Sequence, residues 1–472
     1  MTAEPTLVTL PTEVAVVNVG LPVFADAVRD QGRPADQLDW RIPAGGVPAV
    51  IAALMRLFGD NAADVEAANA EVFRRLNTAT PFWTAVKTAG DVVPGLGSRT
   101  LLHCGPAIDW PDVCDPLRRS MRAATVAEGW AADVGAADEM LRTGEVRLEP
   151  ANLHATVVPM ATALGPSMPV VVVDNEAGGT RAFSALNQGS GNVAWFGRET
   201  AEAIERLRFL RDVAGPILAT AIDASGPVDV FSLAAQGLAM GDDVHMRTQA
   251  TTNLLIRHLL PQLVAAGGPA AVDFARYLSG DHLFFLNVAM AAAKSLTMWA
   301  EQVEGSSIVT TMARNGTTFG IRLAGSSEWF IADAPEVGDA LFNPGYGPGS
   351  GARDIGDSAV LELIGLGGAA AAGSPAVAAF LGGTMADALE VTENMADICH
   401  GTSGRFKLPT LDLRGTPVAV DARLVAKLGT TPKVNTGILH VSDGTGQVGA
   451  GVATAPLDCF TAAVLDLADR LR

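Results

Sequence analysis

Basic charge is scarce in this chain. Thirty-three Lys and Arg stand against 51 Asp and Glu, a formal net charge of −18 over 472 residues. A nucleic-acid partner needs a basic face, so that class is excluded. A small anion is not, because a local Arg/His pocket can sit inside an acidic envelope. Cysteine is also sparse. Cys104, Cys114, Cys399 and Cys459 form no CxxC pair and match no zinc spacing. They read as reduced, mostly buried thiols of a cytoplasmic protein. The seven histidines are dispersed, and no metal site is expected from them. The P-loop, the G-x-S-x-G elbow and the H-E-x-x-H zinc motif are all missing. Met1 to Thr12 carries no basic residue and so does not read as a signal peptide. The most apolar run, Val360 to Gly382, contains Glu362, Pro375 and many glycines, which suits a packed interior better than a membrane span. No solenoid-period repeat and no low-complexity linker is visible.

What is present is an ordinary globular interior, 49% hydrophobic and 18% charged, too long for one core. The pattern predicts a multidomain α/β (α+β) fold. A small N-terminal βαβ unit is expected: a strand at Val14–Val19, a helix at Pro22–Arg29 and a strand at Leu38–Ile42. Helices follow at Val47–Phe58 and Ala62–Asn77, a strand at Thr100–Cys104 and a buried strand at Val170–Val173. A central helical block covers Glu199–Ile222 and Val228–Val303, broken at Gly226-Pro227, Pro261 and Gly267-Gly-Pro269. The C-terminal part is Gly-rich α/β, with strands near Ile308–Met312, Phe319–Leu323, Trp329–Ala332 and Val434–His440. Its helices are expected at Ser358–Ile364, Pro375–Phe380, Met385–Ile398 and Asp458–Arg470. Domain boundaries are placed at 1–95, 96–198, 199–305 and 306–472.

Five segments combine glycine with polar side chains able to meet a ligand. Leu102-His-Cys-Gly-Pro106 follows a strand and is itself followed by Arg118. Ala185-Leu-Asn-Gln-Gly-Ser-Gly191 places Asn187 beside two glycines whose amides can cradle an anion. Gly237 to Thr248 holds Asp242, Asp243, His245 and Arg247; if it is helical, Asp242 and His245 share a face. Thr310 to Gly316 delivers Arg314 and Asn315 from a strand into a turn. Asp354-Ile-Gly-Asp-Ser358 precedes a Gly-rich stretch, where Asp357 or Ser358 can cap the next helix. Downstream, Asn435 and His440 lie near a strand end.

Together these segments resemble the YlbE/AllG-like family, through Val17-Asn-Val-Gly-Leu21, Asp39-Trp-Arg41, Leu102-His-Cys-Gly-Pro106, Gly241-Asp-Asp-Val-His245, Met312-Ala-Arg-Asn-Gly316, Asp354-Ile-Gly-Asp-Ser358 and Val434-Asn-Thr-Gly437. The resemblance implies a subunit of an oxamate carbamoyltransferase, which splits oxalurate with phosphate into oxamate and carbamoyl phosphate in allantoin catabolism. It implies an assembly with an FdrA-like, acyl-CoA-synthetase-related subunit and a third small subunit. The chain itself is expected to be homo-oligomeric and to need no cofactor, and its charge and hydropathy point to neither nucleic acid nor membrane. The alternatives are a non-catalytic partner of the FdrA-like subunit, or an amide or ureide hydrolase.

Carbamoyl transfer needs a polarised carbonyl, a neutralised phosphate and aligned reactants. On the family reading His245, oriented by Asp242, is the general acid/base, and Arg314 meets phosphate or the substrate carboxylate. His103 polarises the carbonyl. Asn315 holds the amide and Arg247 is a second anion ligand. Arg118, Asn187, Asp354, Asp357, Asn435 and His440 complete the candidate binding set. Arg314→Ala is expected to remove activity and leave the fold intact.

Overall fold

A computed structural model describes residues 16–38, 42–380 and 383–472. Val16–Val19 and Ala35–Leu38 pair in parallel around the helix Pro22–Arg29, so the expected βαβ unit is present. Its second strand starts earlier than hydropathy suggested, because the polar Asp36 and Gln37 lie in register with Val17 and Asn18. The Asp39-Trp-Arg41 segment, Val14 and Ala15 lie outside the described residues.

The β-branched run Val170–Val173 forms the middle of a five-stranded sheet and is buried on both faces. Its order is Thr156–Val157, Thr180–Ala185, Pro169–Asn175, Pro81–Thr88, Val228–Asp229. The helix Phe284–Ala300, apolar nearly all round, packs across this sheet. A four-stranded sheet orders Phe330–Asp333, Thr318–Leu323, Val309–Asn315 and Ile355–Gly356. Lys433–Leu439 is the edge strand of a three-stranded antiparallel sheet ordered Asp339–Phe342, Gln447–Thr454, Lys433–Leu439. The architecture is therefore mixed α/β with several small sheets, as the pattern implied.

The expected helices depart from the structure in three places, two of them in the helical block. Pro261 does not break it: the helix Gln249–Ala266 runs through, with Pro261 and Arg257 on the exposed face, so the carbonyl freed at Arg257 is not buried without a partner. Residues 240–248 are not helical. Gly241 (φ +96°) and Val244 (φ +63°) adopt left-handed backbone that ends the preceding helix at Ala239. The expected helix Ser358–Ile364 is two short 3-10 turns. Neither Asp357 nor Ser358 caps it, because the Asp357 carboxylate is taken by the amides of Gly105 (2.8 Å) and Val158 (3.0 Å). Among the described residues no single helix is long and apolar enough to cross a membrane.

Candidate functional site

The loop 240–248 is organised by Asp243. Its carboxylate accepts from the backbone amides of His245 (3.3 Å), Met246 (3.2 Å) and Arg247 (2.7 Å), and from Asn435 Nδ2 at 2.5 Å. Its own carbonyl accepts from Gly367 N at 2.8 Å. The 237–248, 362–368 and 434–437 segments are thus tied at one point, and the result is the pose of His245. The ring Nδ1 lies 2.7 Å from Glu362 Oε1, with His245 2% and Glu362 0% exposed. The same oxygen accepts from Gly368 N and Asn435 N. A carboxylate on Nδ1 fixes the neutral ring as the Nδ1–H tautomer and leaves the Nε2 lone pair available. Gly367 permits the pair: it sits at φ +59°, and a Cβ there would lie 2.1 Å from Glu362 Oε1 and 3.0 Å from His245 Nδ1.

His245 faces a small cavity of about 30 Å³, room for one water-sized group. Met160, Trp195, Ser358, Thr436 and Gln447 also line it. Segments distant in sequence therefore converge here. Met160 is held at φ +51°, and Gly437 passes close enough that a Cβ would meet its Cε at 3.0 Å.

Arg314 stands behind this wall rather than in it. The side chain is 0% exposed and grips Asp354 bidentately, Nε–Oδ2 2.8 Å and Nη2–Oδ1 2.9 Å. Nη1 donates to Gly356 O (2.8 Å) and reaches Ser358 Oγ at 3.5 Å. Thr436 Oγ1 donates to Asp354 Oδ1 at 2.8 Å. The expectation that Arg314 meets a substrate oxyanion is corrected: its donors are spent on Asp354 and Gly356, and Asp354 in turn accepts from Thr436, which lines the cavity with Ser358. Asn315 is likewise committed. Its amide donates to Pro106 O and Thr318 Oγ1, and its oxygen accepts from Thr317 N and Thr318 N, closing the turn at Gly316.

Asp242 does not orient His245. Its oxygens accept from Ala250 N, Thr251 N and Thr251 Oγ1, at the start of the helix Gln249–Ala266, and burial raises its carboxyl above the ordinary range. Arg247, partly exposed, lies 3.3 Å from Asp242. His103 is fully buried, with Nδ1 2.8 Å from Cys104 O and Nε2 without a partner; burial pushes it down to about 4. It is not part of the cavity wall. Arg118 donates to the carbonyls of Trp110, Pro111 and Val113, and so holds its own loop. Asn187 bonds Leu283 O, Asn287 and Gly189 N. His440 pairs with Asp443 at 2.9 Å, near the surface. Asp357 staples the 102–106 loop to Val158, and burial raises it to about 7.

Glu362 was missed as a site residue. Its signal in the sequence is a lone acid inside the apolar run 360–382, and such an acid is costly to bury without a partner. Among the described residues no group of three or more His, Cys, Asp or Glu can hold a metal ion.

With this geometry in place, comparison with known proteins is decisive for the family. The Escherichia coli (strain K12) protein named "Oxamate carbamoyltransferase subunit AllG" is 38% identical over 413 residues, 86% of this chain and 98% of its own length. The chain belongs to the AllG family. The family model described as "Oxamate carbamoyltransferase subunit AllG" matches residues 146–358, a span that holds His245, Arg314 and Asp354. A second AllG-like relative, "Uncharacterized protein YahG" of the same E. coli strain, is 35% identical over 459 residues, 96% of this chain and 97% of that protein. A crystal structure of a conserved protein of unknown function from Enterococcus faecalis V583 superposes with a TM-score of 0.84 at 33% identity, covering 87% of this chain and 99% of that one.

Proposed function

We propose that this chain is a subunit of a carbamoyltransferase of the oxamate type, and that it carries the proton-transfer group of the reaction. In that reaction a phosphate oxygen attacks the carbamoyl carbon of oxalurate and the bond from that carbon to the oxamate nitrogen breaks. The proton lost from the phosphate hydroxyl ends on the departing nitrogen. One base that accepts and then returns a proton suffices. The observation that carries the reading is His245: Glu362 holds Nδ1, and the ring lines a cavity that adjoins a wider one. Ser358 and Thr436, set by the Arg314–Asp354 pair, are the hydroxyls placed to hold the carbamoyl group.

The subunit reading is supported by the N-terminal unit. A two-stranded parallel sheet is too small to stand alone, and parallel strands are ordinarily covered on both faces. Here Val17 (61% exposed), Val19 (54%) and Phe24 (61%) are bare. The partner proposed is an FdrA-like subunit, in the cytoplasm. The reading is tested by co-purifying the two chains and assaying carbamoyl phosphate from oxalurate with and without phosphate. Phosphate-dependent product is expected; a stable complex that releases ammonia and makes no carbamoyl phosphate would replace the transferase with a hydrolase.

A further inference from the structure

A wider cavity, about 360 Å³, adjoins the one lined by His245 and shares Phe196 and Gln447 with it. Ser190, Gly191 and Asn192 line it together with Arg198 and Thr445. Arg198 is half-buried, and its charge is not neutralised at contact distance. Its neighbours in space show the contrast: Arg119 and Arg122 both grip Glu199 at 2.7–2.8 Å. Arg198 instead donates Nε to Thr445 O at 2.9 Å, Nη2 to the same carbonyl, and Nη1 to Asn192 Oδ1 at 3.2 Å. Those bonds use three of the five guanidinium N–H groups and leave two for a ligand. Gly446 makes room for this pose, since a Cβ there would lie 2.9 Å from Arg198 Nε.

The facing loop is also donor-rich. Gly189 (φ +78°) and Gly191 (φ +87°) are both left-handed. The flanking amides are used, Gly189 N on Asn187 Oδ1 and Val193 N on Gly191 O. Among the described residues, the amides of Ser190, Gly191 and Asn192 donate to no protein group. No carboxylate lines this cavity. Glu202 lies behind this wall, where it accepts from Asn192 Nδ2 at 3.1 Å, but it makes no contact with Arg198. Backbone amides without protein partners, exposed at Ser190 and Gly191, and an arginine with no contact ion pair suit an oxyanion with several acceptor oxygens.

We infer that this vestibule seats the phosphate acceptor: Arg198 and the Ser190–Asn192 segment hold its oxygens at the mouth of the His245 cavity. The inference rests on the transferase reading for the identity of the anion, and on the cavity itself for the site. The test is equilibrium titration of inorganic phosphate, and separately of oxamate, into the full chain and into Arg198→Gln, which keeps a donor for the Thr445 carbonyl. Phosphate affinity is expected to fall about ten- to hundredfold in the variant. In the complex, KM for phosphate rises by a similar factor while KM for oxalurate and the saturated rate hold. A merely structural role for Arg198 would move both KM values together. Unchanged phosphate binding in Arg198→Gln overturns the site, as does a wild-type chain that binds no phosphate. Binding of oxamate alone, lost in the variant, overturns phosphate as the ligand. Phosphate binding lost in the variant, with no carbamoyl phosphate made by the complex, leaves the site standing and fails the transferase reading instead.

Discussion

Glu362 Oε1 lies 2.7 Å from His245 Nδ1, across 117 residues of sequence and at full burial. Glu362→Gln keeps an oxygen for the Nδ1 proton but removes the carboxylate charge that stabilises the ring once it has taken up a proton at Nε2. Turnover should fall about 10²-fold or more. The folded state should persist, because the backbone amides of Gly368 and Asn435 retain an amide oxygen. Steady-state kinetics alongside near-UV circular dichroism checks this; unaltered turnover would remove Glu362 from the site.

Gly367→Ala tests the same pair by shape. Its Cβ would occupy space 2.1 Å from Glu362 Oε1, at a φ of +59°. The variant should lose activity to a degree comparable with Glu362→Gln, and the double variant should lose little more than either single one, since both break one contact. Additive losses would show that the two residues act separately.

Arg314→Ala was expected from sequence to spare the fold, and the structure reverses that. Removing the arginine leaves Asp354 buried and unpaired, a cost of about 3–5 kcal/mol. Chemical denaturation should show the single variant strongly destabilised. The double variant Arg314→Met with Asp354→Leu should recover most of the loss, while the orientation of Ser358 and Thr436, and so the activity, should not return.

Asp357 sets a pH dependence of stability. Burial, opposed by the Gly105 and Val158 amides, raises its carboxyl to about 7 in the folded chain, against an ordinary value near 4. Between those values the folded state holds a proton that the unfolded state has lost. Stability owed to this group therefore falls as pH rises from about 4 to 7, by at most about 1.4 kcal/mol per unit, and is level outside that window. Asp281, raised by burial to about 6, adds in the same direction. Urea unfolding at pH 5 and pH 7 should give a steeper loss in wild type than in Asp357→Asn; equal slopes would contradict the raised value.

Much of the fold was legible. The helix Met385–Ile398 begins and ends where periodicity placed it, after the capping box of Thr384 and Asp387. The strand read at Ile308–Met312 is present but runs on through Arg314 and Asn315, as Val309–Asn315. The strand Gln447–Thr454 was not, because glycine is depleted in strands; here Gly449 is needed, since a Cβ would lie 2.7 Å from Leu341 O. At the site the chemistry of His245 was readable, but its partner was not. Periodicity favoured Asp242, three residues away, on the assumption of a helix that the left-handed backbone at Gly241 and Val244 forbids. Which polar groups are already spent could not be read locally either. Asn315 bonds Pro106, which is 209 residues distant, and Arg314 bonds Asp354, 40 residues on.

The central claim is that His245 moves the proton in carbamoyl transfer. It is tested most directly by His245→Asn in the purified complex with the FdrA-like subunit, assayed for carbamoyl phosphate from oxalurate and phosphate. Asparagine can still donate to Glu362 but cannot take up the proton. The account predicts an intact complex whose rate falls by about 10²–10⁴-fold with little change in KM. An intact complex that turns over at the wild-type rate would contradict it, and would place the chemistry in the other subunit.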